Sequence, residues 1–423
     1  MTPSDDQEPG LTRGRLARLP LIGRVVASPA FASADFRRLL IAAGFNQVGM
    51  SGEQLMLGLL VFQITNSTAW VGAALALYAL PNLVFGILSG AIADWLDRRT
   101  LLRILDFTTA ICMTLFAGLL ALGFESLWLI LAYTVIGGSL RALYSPARMS
   151  YAYDIVGGAH VVAGLGLLNL GTRVGQLAGA VAAGIAMQYL GASIAFLFLA
   201  ASHLVALAWL MKLRSAGDSA PTERAPIGQG LREFFVELRN NRSLLTLVLV
   251  TAAVEVFGFS FSTVLPELAT NRFDVGAQGL GLMHSARAIG GVLASLALAG
   301  MTGFERRGVT FLAVLYAFGI SLVLFSAAGQ FAAALLALLL VAVLATSSDV
   351  LTQSMMQLSV PNKLRGRAMG SWILAVGASP LGHLQMGVLA VSFGVGGALL
   401  FNGGALIVVA ILATVAAPRL RRL

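Results

Sequence analysis

Only one cysteine, Cys112, occurs in 423 residues. It lies inside an apolar run, so the chain has neither a disulfide framework nor a cysteine-rich metal centre. Charge is scarce as well: 11% of residues are Asp, Glu, Lys or Arg, against 58% hydrophobic residues, and mean hydropathy is +0.85. So little polar material cannot coat a water-exposed surface, which excludes the ordinary soluble classes. The four histidines, His160, His203, His284 and His383, show no HExxH or paired-ligand spacing, and no metal or cofactor is expected. There is no GxxxxGK[ST] phosphate loop, which argues against ATP-driven work by this chain alone, and no nucleophile–base set that would suggest an enzyme. The first thirty residues carry Asp5, Asp6 and Glu8, then Arg13, Arg15, Arg18 and Arg24, with no sustained apolar core. They do not read as a cleavable signal peptide, and insertion is expected to begin at the first span.

What the chain has in abundance is apolar runs of roughly 20 residues, enough for an all-α membrane protein. Spans are expected near 37–64, 69–93, 100–122, 127–148, 161–189 and 192–213, and again near 243–269, 278–303, 309–327, 330–358, 365–391 and 395–417. With both termini in the cytoplasm, 24 of the 28 Lys and Arg residues fall on the cytoplasmic side and only Arg272 falls outside, as the positive-inside rule requires. A sequence pI near 10.4 therefore reports orientation and contact with anionic membrane lipid, not binding to nucleic acid. A bacterial cytoplasmic (inner) membrane is the expected location.

The one long polar interior segment, 214–242, reads as a cytoplasmic linker, with a short amphipathic helix in its later part. It divides the chain into an N-terminal segment (1–34), a six-helix bundle (35–213), the linker, a second six-helix bundle (243–417) and a basic tail (418–423). The halves look like copies. Gly90-Ala-Ile-Ala-Asp94-Trp-Leu-Asp97-Arg98-Arg99 follows the second span and Gly300 to Gly308, with Glu305, Arg306 and Arg307, follows the eighth. Glu53 and Glu255 sit in the first and seventh spans, and Arg141 and Asp349 in the fourth and tenth, about 200 residues apart in each case.

These residues, together with Asp35 to Leu40, Leu60 to Ser67, Leu80-Pro81 and the block Pro361 to Met369, carry a resemblance. Over residues 35–417 the chain resembles a major facilitator superfamily transporter, and within it the bacterial twelve-helix drug and siderophore exporters of the macrolide and enterobactin efflux type. The resemblance implies two six-helix bundles related by a pseudo-twofold axis, alternating access, and a cavity faced by the first, fourth, seventh and tenth helices. It also implies an inner latch made by Gly90, Asp94, Arg98 and Arg99. Asp97, Asp106 and Asp154 are the candidate acid partners of those arginines; topology-setting is the competing role for each arginine. Trp95 and Asp97 depart from the broad superfamily pattern.

An ionisable group at a helix centre costs about 2.5–3.5 kcal/mol on insertion scales, so such groups line water or pair with one another. Glu53, Arg141, Glu255 and Asp349 place one charge on each expected cavity helix, and Arg173 and Arg287 join them as counter-ions. Two readings compete. One acid, Glu53 first and Asp349 second, exchanges a proton that drives transport; or the set is a permanent network of salt bridges. The three arginines also suit an anionic substrate. Asn46, Gln47, Gln54, Tyr78, Phe257, Phe261 and Gln353 are the candidate contacts to a small amphiphilic molecule. Export of such compounds in exchange for protons, by a monomer, is the function expected; movement of a lipid or lysophospholipid on the same scaffold is the alternative.

Overall fold

The computed structural model describes residues 29–95, 97–215, 241–300, 307–359 and 372–416, and side chains throughout these except at 29, 30, 84–95, 158, 159, 161–163, 299, 300 and 416. The linker core, the 361–369 block and the side chains of Gly90 and Asp94 therefore lie outside the described residues.

Among the described residues twelve helices cross the fold: α1 (Ala34–Thr65), α2 (Thr68–Trp95), α3 (Arg98–Ala121), and then one long helical run, Leu127–Met211, broken at Gly157 and Gly191 into α4 (127–156), α5 (158–190) and α6 (192–211). They continue as α7 (Arg242–Arg272), α8 (Gly276–Gly300), α9 (Arg307–Ala327) and α10 (Phe331–Leu358). The last run breaks at Gly394 into α11 (372–393) and α12 (395–416). No strand occurs among the described residues. Gly157, Gly191 and Gly394 have φ of 69°, 82° and 71° with ψ of 167°, 171° and 164°. That region is open almost only to glycine, so each one reverses the chain within a single residue.

The helix ends divide by charge. The turns at Asn66, Gly123, Gly191, Asp274 and Gly394 share one end of the molecule, hereafter the turn end; Arg37, Arg38, Arg98, Arg99, Arg103, Lys212, Arg242 and Arg307 mark the other, the basic end. At the basic end Ser33 caps α1 by accepting from the Phe36 amide at 3.3 Å. Asp35 accepts from the Ser215 hydroxyl (2.6 Å), the Ser215 amide (2.7 Å), the Arg214 amide (3.1 Å) and Arg38 (2.7 Å), tying the start of α1 to the end of α6. Arg103 donates to the carbonyls of Leu210, Met211 and Leu213, at and just beyond the end of α6. The six helices of the first half are thus fastened at both chain ends.

Small residues set the helix crossings. Gly171, Gly175 and Gly179 form a stripe on α5, and a Cβ at Gly175 or Gly179 would collide with the Gly44 or Val48 carbonyl of α1; close packing is what this stretch does. The two halves meet backbone to backbone near the turn end. Gly72 of α2 abuts the His383 carbonyl and Gly387 of α11 abuts Ala69, while Gly184 of α5 faces Ala277 and Gly281 of α8. Gln188 accepts from the Ala277 amide at 2.9 Å, Tyr189 donates to Gln278 at 3.2 Å, and Thr68 donates to Glu267.

The seventh span departs from the plain helix that its hydropathy predicts. It passes through π geometry at Val254–Gly258, 3-10 geometry at Phe259–Val264, and π geometry again at Leu268–Arg272. Pro266 has no N–H to give to the residue 262 carbonyl, so the helical ladder is also interrupted in the turn-end part of α7.

Candidate functional site

Glu53 and Glu255 are buried and Asp349 is half-buried, and Glu53 and Asp349 are held by neutral donors. Glu53 of α1 is 1% exposed. Its Oε1 accepts from the Tyr133 hydroxyl of α4 at 2.7 Å and its Oε2 from the Tyr78 hydroxyl of α2 at 3.1 Å. Gly137 leaves room for the carboxylate, since a Cβ there would lie 2.6 Å from Oε1. Tyr133 is itself locked by stacking on Phe116, centroids 4.1 Å apart, and by an edge contact with Phe196. Asp349 of α10 accepts from the Trp372 indole N–H at 2.9 Å, with Gln353 beside it. Glu255 is buried in the first π stretch of α7, within electrostatic range of Asp349.

The arginines of the spans are held differently. Arg141 lies 5.6 Å from the centroid of the Tyr78 ring and 3.5 Å from Gln54. Arg287 lies 5.0 Å from the centroid of the Phe261 ring. Arg173 donates to Gln176 at 3.1 Å and reaches across to α8, where its guanidinium lies against Gly291. A small cavity lined by Gln54, Gly58, Leu75, Ser262, Pro266 and His284 lies between the halves beside this group.

Of the other expected contacts, Gln47 is half-buried over Gly175, and Phe257 packs half-buried against the core. Asn46 is placed elsewhere. It is 1% exposed inside the first half and donates to Asp106 Oδ1 at 2.7 Å, the same oxygen that meets His203 Nδ1 at 2.8 Å. Asp106 is therefore not beside Arg98 and Arg99. It lies along α3 inside the bundle, where Gly49 lets α1 close onto His203 of α6. At the basic end Arg98 pairs with Asp154 at 2.7 Å, and Arg99 lies 3.5 Å from Asp97, which caps α3 through the Arg99 amide.

Four residues escaped the sequence reading. Tyr133 and Trp372 supply donors to Glu53 and Asp349, His203 closes the Asp106 network, and Arg148 is only 6% exposed. Tyr133 stands one helical turn before Gly137, a spacing that links them only once Glu53 is known to lie opposite. Arg148 falls within two turns of a span end, where hydropathy assigns arginine to topology.

Comparison with known proteins gives the family. The Major Facilitator Superfamily profile matches residues 39–370. The chain is 22% identical over 349 residues to the staphyloferrin A transporter of Staphylococcus aureus (strain NCTC 8325 / PS 47), covering 81% of this chain and 86% of that protein. It is 27% identical over 363 residues to the multidrug efflux pump Tap of Mycolicibacterium fortuitum, again covering 81% and 86%. Among solved structures, the nucleoside transporter NupG superposes with a TM-score of 0.72 at 14% identity, covering 90% of this chain and 98% of that one. An inward-facing bacterial homologue of the lysosomal transporter Spinster gives 0.68 at 15% identity, covering 92% and 97%. With twelve helices among the described residues, in two halves that touch across small residues, and a family match spanning most of its length, the chain belongs to the major facilitator superfamily and is a multi-pass membrane transporter.

Proposed function

We propose that the chain is a secondary active exporter that moves small amphiphilic compounds across a bacterial cytoplasmic membrane in exchange for protons. The units 35–213 and 243–417 rock against each other about the central charges, joined by the 214–242 linker, and each chain works as a monomer without a cofactor. The basic end faces the cytoplasm, in keeping with the positive-inside rule. The names of the two relatives, a siderophore transporter and a multidrug efflux pump, support small amphiphiles as cargo.

The observation that carries this reading is the seat of Glu53. A carboxylate 1% exposed in mid-span, met by two tyrosine hydroxyls and by no guanidinium within ion-pair distance among the described residues, is unsuited to a permanent salt bridge. It suits a proton acceptor that discharges when water reaches it from one side or the other. Asp349, held by Trp372, is the second candidate. The Arg98–Asp154 pair supports a latch at the basic end, with Asp94 and Gly90 as its other parts. In proteoliposomes under an imposed pH gradient, Glu53→Gln should abolish proton-driven transport while leaving membrane abundance and substrate exchange intact. Unchanged coupling in that variant removes the assignment.

One feature favours lipid movement as a second reading. An apolar groove lined by Ala182, Ile185, Ala186, Leu190, Ile194 and Phe198 opens on the outside of α5 and α6, of a kind that an acyl chain fills. Stimulation of proton flux by lysophospholipid, and not by drug-like amphiphiles, would select that reading.

A further inference from the structure

Arg141, Arg173 and Arg287 gather in the middle of the transporter, with Arg148 two turns nearer the basic end on α4, and among the described residues no acid forms an ion pair with any of the four. Among the described residues the ion pairs lie elsewhere: Arg38 with Asp35, Arg98 with Asp154, Arg99 with Asp97 and His203 with Asp106. The central acids reach the arginines only at longer range, Asp349 toward Arg173 and Glu53 toward Arg141. Their carboxylate oxygens are occupied by tyrosine and tryptophan donors instead.

The four bases share one region. Arg287 is within electrostatic range of both Arg173 and Arg141, and Arg148 of Arg141. Arg173 crosses from the first half to the second, its guanidinium 3.3 Å from where a Cβ on Gly291 would stand, one helical turn from Arg287. Arg148 lies two turns along α4 from Arg141 and so on the same face. It is 6% exposed, and its Nε has no hydrogen-bond partner. Like charges in a region of low dielectric repel strongly, so this arrangement is adapted to receive negative charge. The geometry adds direction. Arg141 and Arg287 each have an aromatic ring near the guanidinium carbon, Tyr78 and Phe261; Arg141 also reaches Gln54 at 3.5 Å, and among the described residues no carboxylate pairs with the N–H edge of either. That edge is the part that matches a carboxylate with two parallel hydrogen bonds.

We propose that this cluster is an organic-anion site: the transported molecule presents a carboxylate to the N–H edges of Arg141, Arg148, Arg173 and Arg287 and lays an apolar or aromatic body against Tyr78 and Phe261. The proposal rests on the reading of the chain as a carrier of small amphiphiles and names their charge.

The test uses three probes with one body and different charge: 1-naphthoate, neutral 1-naphthamide and cationic 1-naphthylmethylammonium. Binding to the full-length protein in nanodiscs is measured by titration calorimetry without any gradient. Naphthoate should bind at least about tenfold more tightly than the amide, and the ammonium more weakly than either. Arg141→Gln, Arg148→Gln and Arg287→Gln should each weaken naphthoate by about tenfold and leave the amide unchanged, with Arg287→Lys intermediate. Equal binding of the three probes, a preference for the ammonium, or no naphthoate binding overturns the site, and the wild-type comparison stands even if a variant fails to fold. Because no gradient is applied, the outcome is separable from coupling. Naphthoate bound but not moved by an imposed pH gradient keeps the anion site and removes the exporter reading. Gradient-driven flux of the ammonium without naphthoate binding does the reverse.

Discussion

The contact of Tyr133 with Glu53 is a buried hydrogen bond between groups that have no access to bulk water. Removing one donor leaves a carboxylate oxygen unsatisfied, a loss of about 1–3 kcal/mol. Tyr133→Phe should therefore lower the thermal unfolding temperature of the purified protein and reduce proton-driven transport, whereas Tyr189→Phe, at the exposed end of α5, should do neither by a comparable amount. The Asp106–His203–Asn46 network depends on one missing methyl group. A Cβ at Gly49 would overlap the His203 ring, so Gly49→Ala should push α1 away from α6 and destabilise the protein by about 1–3 kcal/mol, read as a lower unfolding temperature in detergent. The residue scale was the least legible in the sequence. Six span charges are visible as exceptions to hydropathy, but Asp106, one of three candidate acid partners for Arg98 and Arg99, lies instead with His203 and Asn46. Which way a side chain points depends on the rotation of its helix, and rotation is fixed by glycines such as Gly49 and Gly137 only after the partner helix is in place.

Helices and their ends were far more legible. Twenty-residue apolar runs between basic clusters located the spans, because backbone groups in hydrocarbon must satisfy one another within a single segment. The tight reversals were less so: Gly191 and Gly394 are two among 47 glycines, and nothing local singles them out from those that merely allow close packing. Their backbone angles do. Gly191→Ala and Gly394→Ala should each cost about 1–3 kcal/mol through strain at positive φ, whereas Gly118→Ala, with open space around it and helical angles, should be near neutral; unfolding temperatures of the three variants check this. The basic end of α1 carries a pH dependence of its own. Burial would raise the Asp35 carboxyl above its ordinary 3.8, but hydrogen bonds from the Ser215 hydroxyl and amide, the Arg214 amide and Arg38 outweigh it and hold the group at about 2. A depressed acid contributes stability that is complete above its unfolded value and lost as protonation proceeds in the fold. The α1–α6 fastening should thus be intact above pH 4 and weaken as pH falls from 3.8 toward 2, and Asp35→Asn should flatten that part of the stability profile.

At the scale of the whole molecule the halves are closed against each other near the turn end by backbone contacts at Gly72, Gly184, Gly281 and Gly387. Alternating access requires those contacts to part. In a Cys112→Ala background, Gln188→Cys with Ala277→Cys, joined by a short bismaleimide, should hold the turn end shut and abolish transport, while either single cysteine carrying the same reagent should retain it. Retained transport in the linked protein would show that these helices do not separate during the cycle.

The sequence by itself determined that the chain spans a membrane many times, which end carries the positive charge, and that its halves repeat. The spans follow from local transfer free energies, the orientation from where the basic residues fall and the repeat from like motifs in like order, and none of these needs knowledge of neighbours. Only the tertiary structure decided that Glu53 rests on tyrosine and Asp349 on tryptophan, not on arginine, that Asp106 belongs to His203, and that Arg148 is buried. Those pairings are set by the rotation and close approach of helices far apart in the chain, and no property of a single segment encodes them.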